Sequence, residues 1–327
     1  MTLPIALDAM GGDFAPSEIV AGARRAVDEL GLDVTLVGPP DLIGDPRGLS
    51  VHACTEVIAM DDDPAQSVRT KKDSSLVRAA EMVRDGTASA MVSAGNTGAT
   101  MASALLRMGR LPGVLRPCIA LPIPRPGSYP ALMVDAGANA ECTPEMLVQF
   151  AQMGAAYVRS QHGVAEPRVG LLSIGEESSK GTPLVKEAHA RLRELVPGFV
   201  GNVEGRDLIP SPVDVVVTDG FTGNVALKTI EGAFRFVFAS VLGAVDTNEA
   251  TREAGRVLFE YLAPVIQVLT PENQGGAVLL GLKGVCVISH GSSNATAIMN
   301  ALRVAHEMAS ANVVDRLRDA VTPVTPR

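Results

Sequence analysis

Gly86-Thr87-Ala88-Ser89-Ala90-Met91-Val92-Ser93-Ala94-Gly95-Asn96-Thr97-Gly98-Ala99-Thr100-Met101-Ala102-Ser103-Ala104-Leu105-Leu106 runs for 21 residues without a charge. Its length suits a membrane span, yet Gly95-Asn96-Thr97-Gly98 breaks it with turn chemistry. The stretch reads instead as a strand over Ala90–Ala94, a loop and a helix. Upstream, Ser74–Asp85 reads as a helix that Gly86 ends, and Leu3–Asp8 and Val34–Gly38 read as strands around a helix that opens near Pro16 and closes at Gly31. Downstream, apolar runs predict strands at Cys118–Ile123, Ala131–Asp135, Val169–Ile174, Val213–Thr218 and Val285–Ser289. Strands without polar interruption that alternate with helices predict an α/β fold, a mostly parallel sheet flanked by helices.

One device recurs. Four predicted strands end in a Gly-containing turn that carries an Asn and opens a helix: Ser93–Gly98, Asp135–Asn139, Asp219–Asn224 and His290–Asn294. In a parallel sheet such turns gather at the carboxyl edge, where ligands bind. Glycine lets backbone N–H groups approach closely, and each helix start adds unpaired donors and the positive end of a dipole. Together they predict a site for phosphate or a developing oxyanion, although any single Asn or Ser is equally an ordinary helix cap.

Composition bounds the partners. The 327 residues, with 46% apolar and 20% charged content, suit one large α/β unit over 1–327. Aromatic residues make only 3% and Trp is absent, so the core must come from Val, Leu, Ile, Ala and Met, and a base-stacking surface is not expected. A net charge of −8 argues further against nucleic acid, so an anionic ligand needs a local basic patch. Cys54, Cys118, Cys142 and Cys286 lack metal-ligand spacing and read as reduced thiols. Met1–Gly12 has no basic start and no cleavage site, and no secretory signal is expected.

Common catalytic motifs are missing from the chain. There is no Walker A sequence, no GxGxxG after the first strand, no GxSxG elbow and no metal spacing among the five His residues. His290, at a strand end beside Gly291-Ser292-Ser293, is the one His in a functional context. Lys180 lies in a long Gly-flanked loop after a strand, read as being on the same side of the sheet as the Asn turns. Lys228 follows Asn224 by one helical turn and shares its helix face. Arg69, Lys71 and Lys72 precede a helix whose cap is Asp73 or Ser74. Solvated surface is the plain alternative for each of these cations. Six of the eleven aromatics fall between Phe221 and Tyr261, where a helical pair, Thr229–Val245 and Glu249–Leu262, is expected. The apolar region 229–272 reads as a core or dimer element, or as a surface that meets membrane or an acyl chain.

Ile5–Asp13 with Ala15-Pro16, Val92–Ala99, Met133–Asn139, Gly170–Gly181, Asp214–Gly232 and His290–Asn294 together resemble the bacterial phosphate acyltransferases, in order and over nearly the whole chain. The sequence departs from their pattern at Phe14, where His is expected, at Ser173, where Asn is expected, and at Gln274 and Val278, where Tyr and Pro are expected.

The resemblance implies a three-layer fold like that of isocitrate dehydrogenase and phosphotransacetylase. It implies attack of inorganic phosphate on a long-chain acyl-ACP thioester, giving acyl phosphate for phospholipid synthesis. It also implies a cytoplasmic homodimer that associates peripherally with the membrane, a membrane-bound glycerol-3-phosphate acyltransferase as partner, and neither metal nor nicotinamide. Phosphate is itself a nucleophile, which accords with the missing Ser and Cys motifs. Lys180 and Asn224 are then the catalytic candidates. Asn96, Thr97, Asn139, Lys228, His290 and Ser292 are the phosphate-binding candidates. Arg69, Lys71, Lys72 and Arg78 are candidates for meeting the acidic carrier. Rival readings are a short-chain acyl-CoA phosphotransacylase, a dehydrogenase of related fold and a non-catalytic lipid-surface scaffold.

Overall fold

The structure, a computed structural model, describes residues 3–125, 127–270 and 273–321, with only the backbone of Val268. Positions 271–272 of the apolar region, and the outermost residues of the expected 1–327 unit, lie outside the described residues. In chain order the elements are β1 (Ile5–Asp8), α1 (Ser17–Leu30), β2 (Val34–Gly38), α2 (Pro40–Ile43), β3 (Ser50–Ala53), α3 (Pro64–Thr70), α4 (Ser75–Arg84), β4 (Ala90–Ser93), α5 (Thr97–Arg107), β5 (Cys118–Ile123) and β6 (Ala131–Val134). They continue with α6 (Pro144–His162), β7 (Val169–Ser173), α7 (Pro183–Leu195), β8 (Phe199–Glu204), β9 (Val215–Val217), α8 (Gly220–Val245), α9 (Glu249–Leu269), β10 (Ala277–Leu280), β11 (Val285–Ile288), α10 (Ala295–Ser310) and α11 (Val313–Ala320).

Among the described residues eleven strands join one sheet in the order β3-β2-β1-β4-β11-β10-β5-β6-β9-β7-β8. Helices cover both faces. The core against α1, α6, α7, α10 and α11 includes Ile19, Leu147, Phe150, Leu192, Ile298 and Leu317. The core on the other face, beneath α3, α4, α5 and the start of α8, includes Val68, Leu76, Ala99 and Ala104, with Leu227 and Ile230 packed against it. Among the largest fully buried side chains Phe150 is the sole aromatic, beside Leu, Ile and Met. Each such aliphatic side chain contributes about 1.5–3 kcal/mol of burial. Gly22 permits α1 to close on α10, since a Cβ there would lie 2.6 Å from the Ile298 Cβ.

The pairing is mostly parallel, with three antiparallel contacts at the centre: β11 with β10, β10 with β5, and β5 with β6. These reverse the chain. β1, β4 and β11 run one way, while β6, β9 and β7, parallel to one another, run the other. The physical cause is short connections. Residues 124–130 between β5 and β6 are too few for a parallel crossover, which needs a dozen or more. Asp214, buried before β9, holds this connection by accepting from the Tyr129 hydroxyl at 2.9 Å and from Arg125 at 3.3 Å.

Three strands escaped the sequence reading. β3 is largely exposed, β8 is a Gly- and Asn-containing edge strand, and β10 follows two glycines. The apolar helical region is longer than expected. α8 starts at Gly220 and α9 ends at Leu269. At 26 residues α8 is roughly 39 Å long, well beyond the depth of the sheet, so its later turns project with α9 as a hairpin.

Candidate active site

Because the sheet reverses, the four Asn turns do not share one edge. The Asn96 and His290 turns follow β4 and β11 on one edge. The Asn139 and Asn224 turns and the Lys180 loop follow β6, β9 and β7 on the other. The expectation of a single carboxyl edge is thereby corrected. From β11 to β9 is four interstrand steps of about 4.8 Å each, or roughly 20 Å.

The first edge is built on a buried carboxylate. Asp8 accepts from the Met10 N–H at 3.1 Å and from Ser93 Oγ at 2.7 Å, while Ser93 Oγ accepts from the Gly95 N–H at 2.9 Å. Burial raises the Asp8 pKa despite these donors. Gly11 is required here, because a Cβ would sit 2.5 Å from the Gly95 nitrogen and 2.6 Å from Asp8 Oδ2. The Asn96 side chain is committed to structure. It accepts from the Ala99 N–H at 3.0 Å as the α5 cap and donates to the Met60 and Asp62 carbonyls. What the turn offers a ligand is the free start of α5, whose first turn, Thr97 included, holds no acid.

At the neighbouring turn His290 Nδ1 lies 2.8 Å from Ser292 Oγ and accepts from the Ser292 N–H at 3.2 Å. That acceptance assigns the ring proton to Nε2, the free nitrogen of this exposed side chain. Ser292 is thus engaged with His290 rather than open. α10 is no anion site either: its Ala295 N–H already donates to the Glu18 carboxylate at 2.7 Å. Phe14 and Met60, 52% and 43% exposed, flank this edge.

The second edge repeats the buried brace. Asp135 accepts from the backbone N–H groups of Ile119, Ala138 and Asn139 and from Asn139 Nδ2. Asn139 Nδ2 also donates to the Pro117 carbonyl at 2.8 Å, so the Asn139 side chain holds the turn together. Burial raises the Asp135 pKa as it does that of Asp8. α8 is capped by Asp219, which accepts from the Thr222 N–H at 2.9 Å and puts a carboxylate on that helix start. Asn224 is exposed, and its amide makes no hydrogen bond among the described residues. Lys228 is exposed and paired with Glu231 at 2.9 Å.

Lys180 is exposed, just before the Thr182 cap of α7, and its ammonium has no ion pair among the described residues. Its loop is fastened twice. The Lys180 N–H donates to the Glu177 carbonyl at 3.0 Å, and Asn202 Nδ2 on β8 donates to the carbonyls of Glu177 and Gly175 at 2.9 and 3.2 Å. Sequence reasoning passed over Asn202 because it lies on the unpredicted strand. Ser173, where the resemblance expects Asn, has no hydrogen-bond partner for its Oγ among the described residues. Because β7 and β9 are paired neighbours, the Lys180 loop and Asn224 leave adjacent strand ends. Ile174, Phe221 and Val225, respectively 82%, 66% and 50% exposed, surround them with apolar surface.

The basic group expected to meet an acidic carrier is only half available. Lys71 is paired with Asp62 at 2.5 Å, and Arg78 with Asp73 and Glu81 at 2.7 and 2.9 Å, leaving Arg69 and Lys72 exposed and without an ion pair among the described residues. Ser74 is the N-cap of α4, while Asp73 is held by Thr55 and Arg78.

A three-layer α/β chain with a central reversal and Gly-rich turns at both sheet edges has the fold of the phosphotransacylases. A phosphotransacetylase from Streptococcus pyogenes superposes with a TM-score of 0.62 at 17% identity, covering 96% of this chain and 94% of that one. The chain belongs to the family described as Fatty acid synthesis protein, whose family model matches residues 3–316. It is 47% identical over 326 residues to a phosphate acyltransferase of Elusimicrobium minutum, covering 97% of this chain and 95% of that protein. It is 46% identical over 325 residues to one of Leptospira biflexa, covering 96% of each.

Proposed function

We propose that this protein is a phosphate acyltransferase that converts a long-chain acyl-ACP and inorganic phosphate reversibly to acyl phosphate and free carrier. The observation that carries the reading is the pair formed by the unpaired Lys180 ammonium and the uncommitted Asn224 amide at adjacent strand ends, in a chain without a nucleophile motif. The full-length relatives named phosphate acyltransferase support it.

In the reaction an oxygen of hydrogen phosphate attacks the thioester carbonyl carbon, and the new C–O bond pushes an electron pair onto the carbonyl oxygen. Lys180 and Asn224 donate to that oxyanion, and each such donor typically accounts for about 10²–10³ in rate. Collapse breaks the C–S bond, the sulfur leaves with the electron pair, and the proton of hydrogen phosphate ends on the thiol. The free start of α5 at Asn96 and Thr97, with His290 Nε2, is the phosphate-holding candidate; lying on the opposite sheet edge from Lys180 and Asn224, it serves this reaction only when the partner copy of the homodimer supplies it. Lys228 is the weaker candidate for the same charge, because Glu231 already neutralises it. Asn139 and Ser292 act by shaping their turns.

The finer assignments are proposals on the same footing. The protein works as a homodimer in the cytoplasm and meets the membrane peripherally, passing acyl phosphate to a membrane-bound glycerol-3-phosphate acyltransferase. Among the described residues no helix is long and apolar enough to cross a membrane. Exposed Arg69 and Lys72 receive the acidic carrier. The test mixes purified protein with inorganic phosphate and palmitoyl-ACP, palmitoyl-CoA or acetyl-CoA and traps acyl phosphate with hydroxylamine. Formation from palmitoyl-ACP is expected. Turnover of acetyl-CoA with no product from palmitoyl-ACP would give the reading to the short-chain phosphotransacylase.

A further inference from the structure

We propose that Lys283 and Arg116 form a landing site for the phosphate that heads the pantetheine arm of the thioester donor. The inference rests on the functional reading above and adds where the arm that presents the acyl group is held.

The site is built from two turns on the Lys180 and Asn224 edge. The turn between β10 and β11 presents Lys283, and the loop between α5 and β5 presents Arg116. Because β5 opens where β10 and β6 close, both turns lie on the edge to which the Asn139 turn belongs. Hydrogen bonds follow that edge step by step. The Leu111 N–H donates to the Gly281 carbonyl at 2.9 Å and the Lys283 N–H to the Gly109 carbonyl at 3.0 Å, which joins the two turns. The carbonyl of Pro117, next to Arg116, accepts from Asn139 Nδ2 at 2.8 Å. Gly137 completes the path, since a Cβ on it would lie 3.5 Å from the Asn224 Cβ.

The loop that presents Arg116 is held in shape. Buried Gln149 accepts from the Leu115 N–H and donates to the Gly113 carbonyl, each at 2.8 Å, and Arg110 donates to the Val114 and Leu115 carbonyls. Arg110 is thereby committed to the loop. Arg116 and Lys283 are exposed, and neither side chain has an ion pair or hydrogen bond among the described residues.

Charge selects the class of ligand. On a chain of net charge −8, residues 86–134 and 273–306, which supply both turns, contain no Asp or Glu. Asp315, which shares a cavity wall with Lys283, is already paired with Arg318 at 2.8 Å. Two uncompensated cations on touching turns favour a phosphate group.

Distance selects which phosphate. Arg116 stands at β5, two interstrand steps or roughly 10 Å from β9, and the Lys283 turn stands three to four steps away, roughly 15–20 Å. The attacking phosphate must lie within about 3–3.5 Å of the carbonyl carbon, so it cannot be the ligand of these cations. An extended pantetheine arm spans roughly 15 Å from sulfur to phosphorus. With the thioester carbonyl held by Lys180 and Asn224, the head of the arm reaches Arg116 and Lys283.

Donors that differ only in that phosphate provide the test: S-palmitoyl-4′-phosphopantetheine and S-palmitoylpantetheine, assayed beside palmitoyl-ACP with inorganic phosphate. The wild type is expected to favour the phosphorylated small donor at least about tenfold in kcat/KM, as a charge-assisted contact implies. Lys283→Glu with Arg116→Glu is expected to erase that preference, to raise the KM for palmitoyl-ACP about tenfold, and to leave the KM for inorganic phosphate and the melting temperature unchanged. A wild type without the preference, or a preference that survives the double variant, overturns the proposal. A loss confined to palmitoyl-ACP, with both small donors unaffected, also overturns it and gives the cations to the acidic body of the carrier. A wild type that makes no acyl phosphate from palmitoyl-ACP overturns the functional reading instead. A second measurement needs no turnover. Calorimetry is expected to show 4′-phosphopantetheine binding at least about tenfold more tightly than pantetheine to the wild type and equally weakly to Lys283→Gln with Arg116→Gln; equal affinities for the wild type overturn the landing site.

Discussion

Asn202 Nδ2 donates to the Glu177 carbonyl oxygen across 2.9 Å, tying edge strand β8 to the loop that ends at Lys180. The same amide nitrogen reaches the Gly175 carbonyl at 3.2 Å, so one side chain closes both ends of the first loop turn. Preorganisation of a catalytic cation depends on such braces, since a shift of about 1 Å can cost on the order of 10²-fold in rate. Asn202→Ala is expected to lower kcat about tenfold or more while changing the melting temperature little. Asn202→Asp, which offers no donor to the two carbonyls, is expected to behave like Ala. A kcat unchanged in both variants would show that the loop holds its shape without the brace.

The exposed cations near α3 give a prediction on carrier recognition. Lys71 is already committed to Asp62, so reversing Arg69 and Lys72 together to Glu is expected to raise the KM for palmitoyl-ACP about tenfold and leave the KM for phosphate unchanged. The effect should fade as salt is raised, because exposed charges are screened. Equal KM values for parent and variant at low salt would move carrier docking elsewhere.

Asp8 gives a pH prediction. Burial raises its pKa above the ordinary 3.8, outweighing the donors from Ser75, Ser93 and Met10. The folded protein therefore keeps this proton at a pH where the unfolded chain has lost it. The contribution to stability is fully present below 3.8 and falls as pH rises through the raised value. In urea unfolding, the stability of the parent relative to Asp8→Asn is expected to decline as pH rises above the ordinary 3.8. A difference that stays flat or grows would contradict the raised pKa.

Gly223 is predicted to be intolerant for a reason of space. A Cβ there would fall on the Asp135 carbonyl oxygen, which is backbone and cannot move aside. Gly223→Ala is expected to destabilise by about 1–3 kcal/mol or more, read as a lower thermal midpoint with loss of activity. A midpoint equal to the parent's would mean that the start of α8 can shift away from β6.

Burial also predicts silent thiols. It pushes Cys54 and Cys142 up to about 11, Cys286 to about 12, and Cys118 upward as well. Iodoacetamide at about pH 8 is expected to leave all four unlabelled in the native protein and to label them in urea, as read by intact mass. Rapid native labelling of any one would reveal an opening that the fold does not show.

Much of the fold was legible in the chain. Cys118–Ile123 and Val34–Gly38 were bounded correctly because continuous apolar runs between turn residues mark strands buried on both faces, and Gly31 closes α1 in the left-handed conformation at φ 68°. The Asn turns were legible for the same reason: their Gly and Asn residues answer local backbone demands. Lys180, Asn224 and His290 were singled out from their neighbours alone.

What local pattern did not carry was direction and company. The reversal follows from the brevity of 124–130, a signal present in the sequence but expressed only when β5 and β6 pair antiparallel. From that pairing the sheet sends the Asn224 turn to one edge and the His290 turn to the other. Side-chain commitments were equally out of reach. That Asn96 spends its amide on Met60 and Asp62, or that Glu18 occupies the start of α10, depends on segments distant in the chain. The sequence by itself determined where Gly- and Asn-containing turns open helices, because a glycine and a helix cap answer local backbone demands. Only the tertiary structure decided which of those turns are free and which can share a substrate, because hydrogen bonds are exclusive and strand direction is fixed by pairing across the whole sheet.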